Sequence, residues 1–102
     1  MNDSAAKLEA AIKNGSAIVG VIGLGYVGLP LIDAFATCGF RTMGFDVDQK
    51  KVDRLLAGES YIGHISATRI AELTGNGQLT PTTDMARLAE ADVIIICVPT
   101  PL

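Results

Sequence analysis

The chain has 102 residues, 49% of them hydrophobic and 19% charged, a balance that suits one α/β domain with buried strands and excludes a disordered or fibrous polypeptide. Eight Lys and Arg stand against eleven Asp and Glu, a formal net charge of −3, and no basic run interleaved with aromatics occurs, so nucleic acid is not an expected partner. Cys38 and Cys97 lie far apart with no CxxC or Cys/His cluster, which points away from a disulfide framework or a metal site and towards a reducing cytoplasm.

Ser4 caps an expected leader helix over residues 1–15, with Leu8, Ala11 and Ile12 on one side and Asn14-Gly15 as its stop. The sixteen uncharged residues 17–32 follow, and a secretion signal or membrane span must be weighed: Lys7 and Lys13 precede them, and Ala34-Phe35-Ala36 resembles a cleavage site. Asp3 and Glu9 break the positive segment, however. Four glycines and Pro30 make a poor membrane helix, and the stretch falls short of the roughly 20 residues that a bilayer requires. No membrane partner is expected.

Residues 17–22 form a β-branched apolar run without polar alternation, the pattern of a strand covered on both faces. A helix is predicted within 26–38, its stripe at Leu31, Ile32, Phe35 and Ala36 and its stop at Gly39. Pro30 lacks an N–H, which predicts a later or looser start than the glycines alone suggest. A second strand covers 41–45. Asp48 then caps a helix over 49–57, with Val52, Leu55 and Leu56 inward and Gly58 as its stop. Residues 59–64 read as an irregular loop, and Ser66 caps a further helix through Ile70 and Leu73 to Gly75. Residues 79–82 are a weak strand that Pro81 assigns to an edge, Asp84 caps a turn or two of helix through Leu88, and 93–98 is another strand expected to be buried on both faces. Strands alternating with helices imply right-handed crossovers. The expected fold is a Rossmann-type doubly wound parallel sheet over residues 16–102, with helices on both faces and truncated after the fourth strand.

Gly23-Leu24-Gly25-Tyr26-Val27-Gly28 is a GxGxxG hexad placed between strand and helix. The first glycine permits a sharp turn, the second leaves room for a pyrophosphate, and the third lets helix and strand pack closely, with the helix N-terminus facing the phosphates. An acidic residue is required at the end of the next strand to accept hydrogen bonds from the adenosine ribose, and Asp46 lies eighteen positions after Gly28. A carboxylate there repels a 2′-phosphate, which favours NAD over NADP, although Lys50 and Lys51 soften that preference. The bland alternative is that the glycines only shape a turn and Asp46 caps a loop. Val98-Pro99-Thr100-Pro101 would lie where strand order reverses, offering the Thr100 hydroxyl to the cofactor, and a plain proline-bounded strand exit would look the same.

On "IGLGYVGLPL", "GFDVDQKKV", "TTD" and "ADVIIICVPTPL", the chain resembles the UDP-glucose/GDP-mannose dehydrogenase family from about residue 17 to 102. The resemblance implies that Gly23, Gly25, Tyr26, Val27 and Gly28 surround the NAD pyrophosphate, that Asp46 and Lys51 hold the adenosine ribose, and that Val98, Pro99 and Thr100 line the cofactor site. It also implies oxidation of a nucleotide sugar at C6 from alcohol to acid, with two NAD and a covalent cysteine intermediate, in the service of polysaccharide biosynthesis. "GESYIGHI" resembles the branch acting on UDP-N-acetylhexosamines. The family's nucleophilic cysteine lies in later segments, and neither Cys38 nor Cys97 fits its motif. No catalytic or metal-binding residue is therefore expected here, a UDP-sugar is a partner only for a longer parent chain, and His64, which could be taken for a catalytic base, reads as a solvated or locally bonded loop residue.

A last strand lacking the helix and strand after it would leave an apolar edge bare, so self-association is expected. Two other readings compete. Another NAD dehydrogenase, such as a 3-hydroxyacyl-CoA type, would share the first half, against which the "VPTPL" ending argues. A standalone nucleotide-sensing or interaction module would have no enzymatic activity.

Overall fold

A computed structural model describes residues 16–63 and 65–97, together with Lys7 and Ala10, which stand in helical backbone. The rest of the expected leader helix, His64, and Val98, Pro99 and Thr100 lie outside the described residues.

The elements run in the order β1 (Ile18–Ile22), α1 (Gly28–Thr37), β2 (Arg41–Phe45), α2 (Gln49–Leu56), α3 (Ala67–Gly75), β3 (Leu79–Thr82), a 3-10 helix (Met85–Glu90) and β4 (Val93–Ile96). The four strands form one parallel sheet in the order β3-β2-β1-β4. Ile18 pairs with Arg41 and Ile22 with Phe45 on one side of β1, while Val19 to Ile22 pair with Val93 to Ile96 on the other. The chain thus works outward from β1 to β3 and then jumps back across it, the reversal that defines a doubly wound sheet.

Side chains alternate between the two faces of a strand, so this register sorts the core. Val19, Val21 and Leu79 share the face on which all three α-helices pack, through Leu29, Ile32 and Ala36 of α1, Val52 and Leu55 of α2, and Ile70 and Leu73 of α3. Met43 and Phe45 are buried on the opposite face, where a Cβ on Gly20 would lie 3.0 Å from that of Ala91 in the returning connection.

Local signals explain most element ends. The side chains of Asp48, Ser66 and Asp84 accept the N–H groups of Lys50, Arg69 and Ala86, so each cap satisfies a donor that the first helical turn cannot. Pro81 sits on an edge strand, where its missing N–H costs no ladder bond to a further neighbour. Asp92 pins the start of β4: its carboxylate accepts Ile18 N–H at 2.7 Å, and its own N–H donates to Ile18 carbonyl at 2.8 Å.

Three expectations are corrected. Helix α1 begins at the third glycine, Gly28, because Pro30 falls within its first turn, where an N–H has no intrahelical acceptor anyway. Leu56 is exposed; the core takes its neighbour Leu55 instead. Strand β4 is an edge strand whose Ile94 and Ile96 are 46% and 65% exposed, not buried on both faces.

Candidate functional site: the glycine turn and Asp46

The carboxyl ends of β1 and β2 open into a cleft of about 430 Å³. Its floor is the hexad, residues 23–28. Gly23 has φ +100°, a conformation that a side chain resists, and its N–H donates to the Phe45 carbonyl at 2.8 Å, tying the turn to the end of β2. A Cβ on Gly23 would come within 1.9 Å of the Cys97 carbonyl, and one on Gly28 within 1.7 Å of the Gly23 carbonyl. First and third glycines are therefore packing requirements. The middle one differs: a Cβ on Gly25 would meet nothing within 4 Å, so the side chain it lacks leaves open space inside the cleft.

The N-terminus of α1 faces this space without a side-chain cap. Gly25 N–H has no acceptor among the described residues, and Tyr26 and Val27 beside it are largely exposed. Unpaired N–H groups at the positive end of a helix are what an anionic diphosphate requires.

Asp46 follows the end of β2 and lines the same cleft. Its Oδ2 accepts Leu24 N–H at 3.0 Å and its Oδ1 accepts Asp48 N–H at 2.9 Å, which fixes the carboxylate in place. Two backbone bonds leave acceptor capacity on both oxygens for a pair of sugar hydroxyls. Lys51 Nζ lies 3.8 Å from Oδ2, a loose and half-exposed pairing that does not consume the carboxylate.

Sequence reasoning missed four lining residues: Leu24, Tyr61, Ile62 and Cys97. Tyr61 hydroxyl donates to the Leu24 carbonyl at 2.5 Å, and the Arg54 guanidinium lies 5.4 Å from the centre of its ring. Burial, and then the Asp46 carboxylate, push the Tyr61 phenol well above its ordinary ionisation range, against the smaller opposing pull of Arg54. The signal available was one aromatic in a Gly/Ser-rich loop, which does not announce a partner 37 residues away.

The structure thus brings Gly23, Gly25, Tyr26, Val27, Gly28, Asp46 and Lys51 to one cleft. Cys97, the last described residue before Val98, lies against Gly23. No group of three or more His, Cys, Asp or Glu that could hold a metal occurs among the described residues, and none of their helices is long and apolar enough to cross a membrane.

A parallel sheet with reversed strand order, an uncapped helix behind a glycine turn and an acidic residue ending the second strand define a dinucleotide-binding module. Residues 17–102 match the family model described as "UDP-glucose/GDP-mannose dehydrogenase family, NAD binding domain", and the chain belongs to that family. It is 39% identical over 84 residues to the UDP-N-acetyl-D-mannosamine dehydrogenase of Methanococcus aeolicus, covering 79% of this chain and 18% of that one. With the protein of that name from Escherichia coli it shares 35% identity over 85 residues, covering 83% and 20%. Among solved structures, a UDP-D-ManNAc dehydrogenase from Pyrococcus horikoshii superposes with TM-score 0.76 at 34% identity, over 83% of this chain and 21% of that one. A GDP-mannose dehydrogenase from Pseudomonas aeruginosa superposes with TM-score 0.75 at 32% identity, over 81% and 20%. The chain spans about a fifth of the length of the curated relatives it matches.

Proposed function

We propose that this chain is the cofactor-binding part of an NAD-dependent nucleotide-sugar 6-dehydrogenase that oxidises the C6 alcohol of a UDP-N-acetylhexosamine to the uronic acid. The observation that carries the reading is one cleft that holds both the Asp46 carboxylate and the open space at Gly25, which suit the sugar hydroxyls and the phosphate oxygens of an adenosine diphosphate. The relatives named UDP-N-acetyl-D-mannosamine dehydrogenase support the N-acetylhexosamine branch.

In this reading, the N–H groups of Gly25, Tyr26 and Val27 receive the diphosphate, and Gly23 and Gly28 hold the turn against β1 and β4. Asp46, with Lys51 beside it, accepts the ribose hydroxyls and repels a 2′-phosphate. Val98, Pro99 and Thr100 would continue the wall beyond Cys97. The group so bound supplies a hydride acceptor at its nicotinamide. The UDP-sugar is a partner of a longer parent, working in the cytoplasm and feeding polysaccharide biosynthesis, with residues 16–102 forming the NAD-binding domain behind the leader helix 1–15. The bare Ile94 and Ile96 support self-association of the chain through β4.

Calorimetric titration with NAD and NADP tests this function. Saturable micromolar to millimolar binding of NAD, and weaker binding of NADP, is expected. Equal affinity for the two would remove Asp46 from its assigned role, and no heat with either would remove the cofactor site.

A further inference from the structure

We infer that Tyr61, in the loop between α2 and α3, is a positioning residue that holds the glycine turn in the shape that receives a diphosphate; the inference rests on reading the cleft as an NAD site.

Leu24 stands between the first two glycines of the turn. Its N–H is held by Asp46 Oδ2 at 3.0 Å, its carbonyl by the Tyr61 hydroxyl at 2.5 Å, and its side chain is fully buried. A peptide unit is planar and trans, so the Leu24 carbonyl and the Gly25 N–H lie in one plane and point in opposite directions. A bond that draws the carbonyl towards Tyr61 therefore turns the Gly25 N–H away from it, and that N–H has no acceptor among the described residues. Tyr61 sets the direction of a donor that the protein itself leaves unused.

The tyrosine is in turn well held. Arg54 lies 5.4 Å from its ring centre and donates to the Ser60 carbonyl at 3.4 Å. The single proton of the Ser60 hydroxyl is shared between the carbonyls of Ile62 and Ile65, two buried residues that root the loop in the core. A phenol is a donor at neutral pH in any case, and burial, then the neighbouring Asp46 carboxylate, raise its ionisation further. A tether serving stability alone would need neither the link to the turn nor a place in the cofactor cleft; Tyr61 has both.

Tyr61→Phe in the full chain removes the hydroxyl and keeps the ring, the Arg54 contact and the Ile62 and Ile65 anchors. NMR titration with NAD and with adenosine, which lacks the diphosphate, separates the two roles. NAD affinity is expected to fall about 3- to 10-fold, the effect of one hydrogen bond, while adenosine affinity changes less than about 2-fold. Equal loss for both ligands, or no loss for NAD, overturns the inference. Should the unaltered chain bind no NAD, the cofactor reading fails on its own account, and amide exchange then decides the clamp at Gly23 and Leu24, whose N–H groups are held by Phe45 and Asp46: faster exchange in Tyr61→Phe supports it, unchanged exchange overturns it. If Tyr61→Phe does not fold, the Tyr61 hydroxyl proton of the unaltered chain is followed by NMR instead: a resonance protected from exchange and kept when NAD binds supports the clamp, and an unprotected hydroxyl overturns it.

Discussion

Gly28 rests on Gly23: a Cβ on the third glycine of the turn would lie 1.7 Å from the carbonyl oxygen of the first. The oxygen belongs to the backbone and the backbone fixes where a Cβ must stand, so no rotamer relieves the clash. Gly28→Ala is expected to destabilise the fold by about 3 kcal/mol or more. Gly25→Ala is the contrasting change, since its Cβ enters open space at an ordinary φ. Its stability is expected to stay within about 0.5 kcal/mol of the parent while NAD affinity falls at least about 10-fold. Urea unfolding and NAD titration of the two variants check both halves; a stable Gly28→Ala would break the packing account.

The Arg69 guanidinium bonds Asp33 at 2.6 Å, joining α3 to α1, with both side chains about one-third exposed. Asp33→Asn is expected to cost about 0.5–1 kcal/mol, shrinking as salt is added. Denaturant midpoints at low and high ionic strength measure it, and a loss independent of salt would assign the contact to packing.

Alkaline pH should weaken the fold through Tyr61. Its folded ionisation is raised, by burial first and by Asp46 second, above the ordinary value of 10.0 that it keeps when unfolded. Above pH 10.0 the unfolded chain therefore releases this proton before the folded one does, and the contribution that is complete below that pH declines as pH rises. Tyr61→Phe removes that titration. Its stability should fall less steeply with alkaline pH than that of the parent, and parallel curves from chemical denaturation would contradict the assignment.

Ile96 is 65% exposed on the second face of an edge strand. Ile96→Lys is expected to leave stability within about 0.5 kcal/mol and to reduce concentration-dependent sedimentation. Undiminished self-association would place the contact elsewhere.

Much of this architecture was legible because it is encoded locally. Asp48, Ser66 and Asp84 reach N–H groups two or three residues ahead, so their helices could be read from neighbouring letters. A parallel sheet followed from apolar runs alternating with helices. What was not legible depends on distant partners. Leu55 and Leu56 are adjacent letters of equal hydrophobicity, and only the packed fold decides that the first is buried and the second exposed. The hexad announced its glycines alike, yet Gly23 answers to Cys97 and Gly28 to Gly23, while Gly25 answers to nothing in the protein. Tyr61 acts on Leu24 across 37 residues, and no spacing rule connects a loop tyrosine to a turn.

One carboxylate beside one open glycine turn makes this cleft a dinucleotide site, and calorimetric titration of NAD into the parent chain and into Asp46→Ala is its sharpest test. Loss of this acceptor, charged and bonded to the turn, is expected to weaken NAD about 10- to 100-fold and to narrow its advantage over NADP. An Asp46→Ala chain that folds and binds NAD as well as its parent would contradict the account.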